Sequence, residues 1–250
     1  MGLTSENVAS RYSISREDQD EFAIQSHAKA HAAQTAGRFA DEVVPMETRW
    51  VADADGGGGS GGGVVETRRT VAADDGIRPQ ASLAALAALK PAFRADGSST
   101  AGNSSQVSDG AAAALLMRRA TADALGLAPI GKFVASAVAG VRPDEMGVGP
   151  VVAIPRVLHL TGLAAADVAV WELNEAFASQ ALHCMRVLGL PANRVNPNGG
   201  AIALGHPLGA TGARQLATLL PELKRRGERV GVVSMCIGAG SGMASVFVRE

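Results

Sequence analysis

From about residue 130 onward, short apolar runs alternate with segments typical of helices. The runs include "KFVASAVAGV", "ADVAVWEL", "RVGVVSMC" and "GMASVFV", and segments such as "NEAFASQALHCMRVLG" and "GARQLATLLPELKRRG" lie between them. This alternation predicts strands covered by helices, which is a layered α/β sandwich. Because a tight glycine turn joins the last two runs, we expect the sheet to end in an antiparallel pair.

The first hundred residues predict helices and loops instead. Ser15 is placed to cap a helix that stops at Gly37, with small residues along one face. Two strand-like segments flank the run "GGGGSGGG" at 56–63, which predicts a hairpin with an enlarged tip. "ASLAALAALKPAF" and "AAAALLMRRATADALG" are expected to form helices. Because helix-and-loop segments give way to the alternating pattern at about residue 100, we divide the chain into residues 1–99 and 100–250.

Charge, length and cysteine content exclude several classes of protein. The 23 Lys and Arg residues nearly balance 24 Asp and Glu residues, so no basic surface for nucleic acid is expected. No apolar stretch approaches the roughly 20 residues that cross a bilayer. The chain has two cysteines and no secretory segment at its start, which indicates a reducing compartment. His27 and His31 have the spacing of a metal pair, but without a third ligand we expect surface histidines and no metal site.

Three segments place a reactive or polar side chain at a strand end or in a glycine turn. Asn174 stands between a strand and a helix, as a helix cap or as a site residue. His206 is held between glycines and prolines, which suits either a catalytic group or a structural turn. Cys236 precedes three alternate glycines, either near uncovered backbone N–H groups or as a buried free thiol. Cys184, seven residues after Phe177 on a helix face, is expected to be a core residue without chemistry.

Six motifs together resemble the thiolase family, and its peroxisomal type most of all. "NEAFA" (174–178), "GGAIALGHPLGATGAR" (199–214) and "CIGAGSG" (236–242) are similar to its three C-terminal signatures, in the same order. "MGLTSENVA" (1–9), "DGIRP" (75–79) and "AGNSSQVSDGAAA" (101–113) are similar to its internal landmarks. The resemblance implies an α/β fold: a layered α/β/α sandwich in residues 100–250, as the second half of a duplicated fold. It makes residues 1–99 the end of a helix-and-loop insertion domain.

The resemblance also implies a role for each site residue. His206 would activate a nucleophilic cysteine and help bind the thioester oxygen, and Asn174 would hold a water in the same oxyanion hole. Cys236 would exchange a proton with the acetyl α-carbon or with the CoA sulfur, and Gly238 would donate its N–H to a second oxyanion hole. The residues that would contact the pantetheine arm or line the acyl channel are Ser105, Met1, Met146, Ala176 and Phe177.

These roles imply thiolytic cleavage of 3-ketoacyl-CoA to acetyl-CoA and a shortened acyl-CoA, with the reverse condensation. Acyl-CoA and CoA would be the substrates, with no further cofactor. The resemblance implies a homodimer in fatty acid β-oxidation, in the peroxisome or alternatively the mitochondrion.

One departure from the family concerns the nucleophile. In thiolases the nucleophilic cysteine lies in the first half, whereas this chain begins with a motif that the family carries mid-chain. Neither Cys184 nor Cys236 fills the nucleophile's place, so we expect the chain to be inactive alone. One alternative is a non-catalytic fragment that binds acyl-CoA or pairs with a partner chain. Another alternative is a thioester hydrolase that uses Cys236 and His206. Decarboxylating condensing enzymes share the fold, but they carry two histidines where this sequence has His206 and Cys236.

Overall fold

The computed structural model describes residues 1–53 and 64–250. Its helices and strands follow one another along the chain, with a kinked 3₁₀ segment at Pro143–Val148 and a single 3₁₀ turn at Ala165–Asp167. In chain order they are α1 (Gly2–Arg11), α2 (Arg16–Thr35), β1 (Met46–Asp53), β2 (Val64–Val71), α3 (Leu83–Ala87), α4 (Arg119–Ala124), β3 (Gly131–Gly140), α5 (Gly149–Thr161), β4 (Val170–Leu173), α6 (Ala178–Leu188), α7 (Ala201–Leu204), α8 (Thr211–Arg226), β5 (Val230–Ile237) and β6 (Ser241–Arg249).

A four-stranded mixed sheet organises the second part of the chain, in the order β3-β6-β5-β4. Strands β5 and β6 are antiparallel, as the glycine turn between them predicts, and β3 also pairs with β6 antiparallel. Strand β4 runs parallel to β5, with Leu173 opposite Ser234. This pairing brings the residues that follow β4 beside the carboxyl end of β5.

Helices cover both faces of this sheet. Successive residues of a strand point to opposite faces, and Val232 belongs to the core beneath α5 while Val233 belongs to the core beneath α8. The α5 side also includes Trp171 of β4 and Cys184 of α6, both buried. The observed architecture is therefore the expected α/β/α sandwich.

The first third of the chain packs on the α6 side of the sandwich. Helix α2 begins where predicted, since the side chain of Ser15 accepts a hydrogen bond from the N–H of Asp18 at 3.0 Å. Its Phe22 and Ala23 pack against Ala178 and Ala181 of α6. Strands β1 and β2 form the predicted antiparallel hairpin, whereas the Gly/Ser run at 56–63 lies outside the described residues.

Two expected helices are shorter than the sequence suggests. Helix α3 spans five residues, and α4 begins at Arg119, so residues 111–118 have no regular secondary structure. Leu115 and Leu116 of this segment are 82% and 69% exposed. Because a short helix gains most of its stability by packing an apolar face, an alanine-rich run without a surface to pack on is not held as a helix.

The prediction of a surface His27 is wrong. The side chain is buried on α2, and its Nδ1 accepts the backbone N–H of Arg78 at 3.1 Å. The imidazole therefore connects α2 to the loop after the hairpin. Its pKa is lowered, first by burial and then by the charge of Arg78.

Candidate active site

Asn174 lies directly after β4, and its backbone is fixed at both ends. Its N–H donates to the carbonyl of Ser234 on β5 at 2.9 Å, and its carbonyl accepts the side-chain amide of Gln180 at 2.8 Å. The capping position of α6 is occupied by Phe177, three residues further on. Asn174 is therefore not the helix cap, and its buried side chain is free to serve the site.

The side-chain amide of Asn174 lies beside the imidazole of His206. The amide Nδ2 of Asn174 donates to Nε2 of His206 at 3.3 Å, and the ring's Nδ1 lies 2.7 Å from the hydroxyl of Thr211. That hydroxyl donates its own proton to the carbonyl of Pro207 at 2.9 Å, so its oxygen accepts from Nδ1–H. The imidazole is thereby held as the tautomer with its proton on Nδ1 and its lone pair on Nε2. This is the form that a general base requires.

The surroundings of His206 keep the ring neutral. Burial lowers the pKa of the imidazole, and the positive charge of Arg214 lowers it further. Arg214 is on α8, the helix that begins at Thr211. The helix that orients the ring therefore also disfavours its protonation.

Cys236 lies near the end of β5, opposite Gly242 of β6. It is 7% exposed and packs with Met146 and Ala176, with the half-buried Phe177 against the same group. Burial raises the pKa of the Cys236 thiol to about 11. The thiol is consequently protonated at neutral pH, in the form that can give a proton to a carbanion.

The alternate glycines after Cys236 serve different purposes, contrary to the expectation that all uncover N–H groups. At Gly238 a Cβ would meet no heavy atom within 4 Å, so this glycine presents an open backbone face. Gly242 is instead inside β6, where a Cβ would overlap the backbone of Gly149. Of these two glycines, the open Gly238 is the one suited to donate an N–H to a ligand.

The structure brings most of the expected channel residues around Cys236. Ser105 donates its backbone N–H to the carbonyl of Ala176 at 3.0 Å, which connects the loop before residue 111 to the start of α6. Met1 stands apart from the buried group, since it precedes α1 and is 61% exposed. The roles that the resemblance implies for these residues stay predictions.

Cys184 is a core residue, as its place on the helix suggests. It is fully buried beneath the sheet and its thiol points to the carbonyl of Gly147 at 3.8 Å. Burial raises the pKa of this thiol far above its ordinary value. A thiol in such surroundings is inert.

Sequence reasoning missed the residues that support the site. Thr211 orients His206, and Gln180 fixes the backbone of Asn174. The one signal for Thr211 is its position at the first residue of α8, where it stays within reach of a side chain five residues earlier. Gln180 has no such signal, because an amide in a helix is most often a surface residue.

Within residues 1–53 and 64–250, no helix is long and apolar enough to cross a bilayer. In the same ranges no three His, Cys, Asp or Glu side chains are grouped so that they could hold a metal ion.

Two family models match the chain in succession. The model of the thiolase N-terminal domain matches residues 1–120, and that of the thiolase C-terminal domain matches residues 127–249. The models meet between residues 120 and 127; the division at residues 99 and 100 stays a prediction.

Two curated relatives match almost all of the chain. The human peroxisomal 3-ketoacyl-CoA thiolase is 58% identical over 250 residues, which is 99% of this chain and 56% of the relative. The peroxisomal 3-ketoacyl-CoA thiolase 1 of Arabidopsis thaliana is 55% identical over 100% of this chain and 55% of its own length. The chain thus spans slightly more than half the length of these relatives.

Solved structures agree with the family models. The Bacillus anthracis acetyl-CoA acetyltransferase superposes with a TM-score of 0.91 at 40% identity, over 100% of this chain and 60% of that one. The dimeric peroxisomal thiolase of Saccharomyces cerevisiae superposes with a TM-score of 0.84 at 46% identity, over 100% and 59%. With the shared sandwich, the two successive family models and these identities, the chain belongs to the thiolase family.

Proposed function

We propose that this chain is the part of an acetyl-CoA C-acyltransferase that carries the general base, one oxyanion hole and the proton-transfer thiol. The full-length protein cleaves 3-ketoacyl-CoA with CoA, giving acetyl-CoA and an acyl-CoA two carbons shorter, and it runs the reverse condensation. The nucleophilic cysteine comes from a first half, because Cys184 is inert and Cys236 has the other role.

The first stage forms an acyl-enzyme. Nε2 of His206 takes the proton of the nucleophilic thiol, whose sulfur attacks the keto carbonyl of the substrate. The bond between the α- and β-carbons breaks, and the electron pair stays on the α-carbon of the departing acetyl-CoA. Cys236 gives its proton to that carbon and becomes a thiolate, while the protonated His206 and the water held by Asn174 stabilise the enolate oxygen.

The second stage releases the shortened product. The Cys236 thiolate takes the proton of CoA, and the CoA sulfur attacks the acyl-enzyme carbonyl. The N–H of Gly238 stabilises the oxyanion that forms, and His206 returns its proton to the leaving cysteine sulfur. Both cysteines then regain their starting protonation states.

The orientation of His206 is the observation that carries the proposal. The hydroxyl oxygen of Thr211 accepts a hydrogen bond from Nδ1–H, Asn174 Nδ2 donates to Nε2, and burial lowers the pKa of the ring. A histidine that only stabilises a turn does not need a fixed tautomer, an amide at Nε2 and a lowered pKa together. In the same site, the backbone N–H of Asn174 donates a hydrogen bond to the carbonyl of Ser234, which lies two residues before Cys236.

The relatives suggest the setting of the reaction. The curated matches are named as peroxisomal enzymes and one solved structure as a dimer, which supports a peroxisomal homodimer in β-oxidation. Its substrates are acyl-CoA and free CoA, with no additional cofactor. The alternative of an acyl-CoA-binding fragment that never reacts predicts binding without acylation.

Replacing His206→Ala in the full-length protein tests the proposal. Incubation with a radiolabelled 3-ketoacyl-CoA should label the wild-type protein, and the variant should acylate about 10²–10⁴ times more slowly, as expected for a lost general base. His31→Ala is the matched control, since His31 is exposed on α2 and should leave labelling unchanged. Equal labelling of the wild type and His206→Ala would show that His206 has only a structural role.

A further inference from the structure

Glu175, the residue after Asn174, carries a buried carboxylate that the proposed reaction does not use. It is 2% exposed and accepts three hydrogen bonds. Ser26 Oγ donates at 2.6 Å, Asn196 Nδ2 at 2.7 Å and the N–H of Ile202 at 3.4 Å. A carboxylate that is fully enclosed needs such donors, because an unpaired buried charge is costly.

One set of these contacts fixes the Asn174 side of the site. The side chain of Asn196 accepts the N–H of Leu173 at 2.8 Å and donates to the carbonyl of Leu173 at 2.7 Å. Its Nδ2 also donates to Glu175. The residues before and after Asn174 are therefore both anchored to Asn196.

The other set fixes the His206 side. Ile202 lies in α7, the four-residue helix that ends two residues before His206. Ser26 donates to Glu175 and accepts the N–H of Gly200 at 3.1 Å. The carboxylate thus holds the segment that leads into the His206 turn.

The same carboxylate explains why position 200 is a glycine. A Cβ on Gly200 would overlap the carboxyl group of Glu175. The chain therefore approaches Glu175 more closely than any other residue type would permit. This close approach makes the separation of the two segments dependent on Glu175.

We propose that Glu175 is a positioning residue that sets the spacing between the Asn174 amide and the His206 imidazole. The inference rests on the proposed function, for which that spacing forms the first oxyanion hole. The hydrogen bonds of Glu175 go to Ser26, Asn196 and Ile202, so it acts through the two segments that it joins. A misplacement of about 1 Å in such a site costs up to about 10²-fold in rate.

The test is Glu175→Gln in the full-length protein. The glutamine keeps the shape of the side chain but offers one acceptor oxygen to three donors. We expect kcat for thiolysis to fall about 10²-fold while KM for the acyl-CoA stays within about threefold. A fall in stability alone, with kcat unchanged in the folded protein, would overturn the proposal.

Glu222→Gln is the matched control. Glu222 is also 2% exposed, on α8, and accepts from Asn198 at 3.1 Å and from Arg225 and Arg226 at 3.0 and 2.6 Å. It should lose stability as Glu175→Gln does and retain kcat. An equal loss of kcat in both variants, at matched loss of Tm, would show a general effect of a disturbed core.

A spectroscopic readout separates this inference from the proposed function. ¹⁵N NMR of the His206 ring should show the Nδ1–H tautomer that Thr211 fixes, and the Nε2 resonance should shift in Glu175→Gln because the amide of Asn174 no longer donates to it at the same distance. An unchanged ring spectrum would overturn the positioning role, even if the wild type shows no thiolysis at all. Should Glu175→Gln not fold, Ser26→Ala removes one donor and should shift the same spectrum in the same direction.

Discussion

Cys236 and Cys184 show how position decides the chemistry of a residue. Both thiols are buried, and burial raises both pKa values. Cys236 nevertheless lies at the end of a strand, between an open glycine and the side chain of Met146. Cys184 lies mid-helix beneath the sheet, where no substrate can reach it.

Serine substitutions should therefore separate the two cysteines. In the full-length protein, Cys236→Ser should keep acyl-enzyme formation but slow deuterium exchange at the acetyl methyl about 10²–10⁴-fold, because a hydroxyl is far too weak an acid. Cys184→Ser should cost about 1–3 kcal/mol of stability through a buried hydroxyl and keep the exchange. If Cys236→Ser lost acylation and kept exchange, the assignment of Cys236 would be wrong.

Local sequence patterns identify the candidate site residues more readily than the residues that hold them in place. Asn174, His206 and Cys236 each stand at a strand end or in a glycine turn, which local patterns can identify. Glu175 gives no local signal, because its partner Ser26 is 149 residues away. Contacts of that separation depend on how the elements pack, which periodicity does not encode.

At the scale of elements, the contact between α5 and β6 places Met146 against Cys236. Gly149 begins α5 and lies against Gly242, with the 3₁₀ turn that carries Met146 immediately before it. Two glycines let the helix start approach the strand at backbone distance. Met146 consequently reaches Cys236 of the neighbouring strand.

Gly242→Ala should force these elements apart. The added methyl would overlap the backbone of Gly149, so we expect a loss of about 1–3 kcal/mol, seen as a lower Tm of the full-length protein. Gly209→Ala is the control, since a Cβ there meets no heavy atom within 4 Å and should leave Tm nearly unchanged. Equal Tm values for the two variants would contradict the close approach.

At the scale of the whole molecule, apolar side chains remain uncovered along residues 111–118 and on β3. Leu115 and Leu116 are mostly exposed, and Phe133 and Val138 of β3 are about half exposed, at 50% and 48%. Exposed apolar patches of this kind mark surfaces that bind another protein surface. The proposed first half of the protein would cover them.

The 250-residue chain alone should therefore be inactive and self-associating. Incubated with acetoacetyl-CoA and CoA, it should show no thiolysis above a Cys236→Ala control, because no acyl-enzyme can form without the first-half cysteine. Light scattering should report oligomers of mixed size, which a co-expressed first half should reduce. Turnover that depends on Cys236 in the isolated chain would favour the hydrolase alternative.

The hairpin of β5 and β6 has a final consequence for how this site can change over time. Cys236 pairs with Gly242 across a connection of three residues, 238–240. Strand side chains alternate between faces, so a slip of one position would present Met235 or Ile237 where the thiol now stands. Gly238 leaves room for a side chain, whereas Gly240 has a φ of +85° and a Cβ there would overlap the backbone of Val141 and Pro143. A single inserted or deleted codon would move the thiol off its present face. Both the length of this connection and the glycine at position 240 therefore limit how this corner of the protein can change.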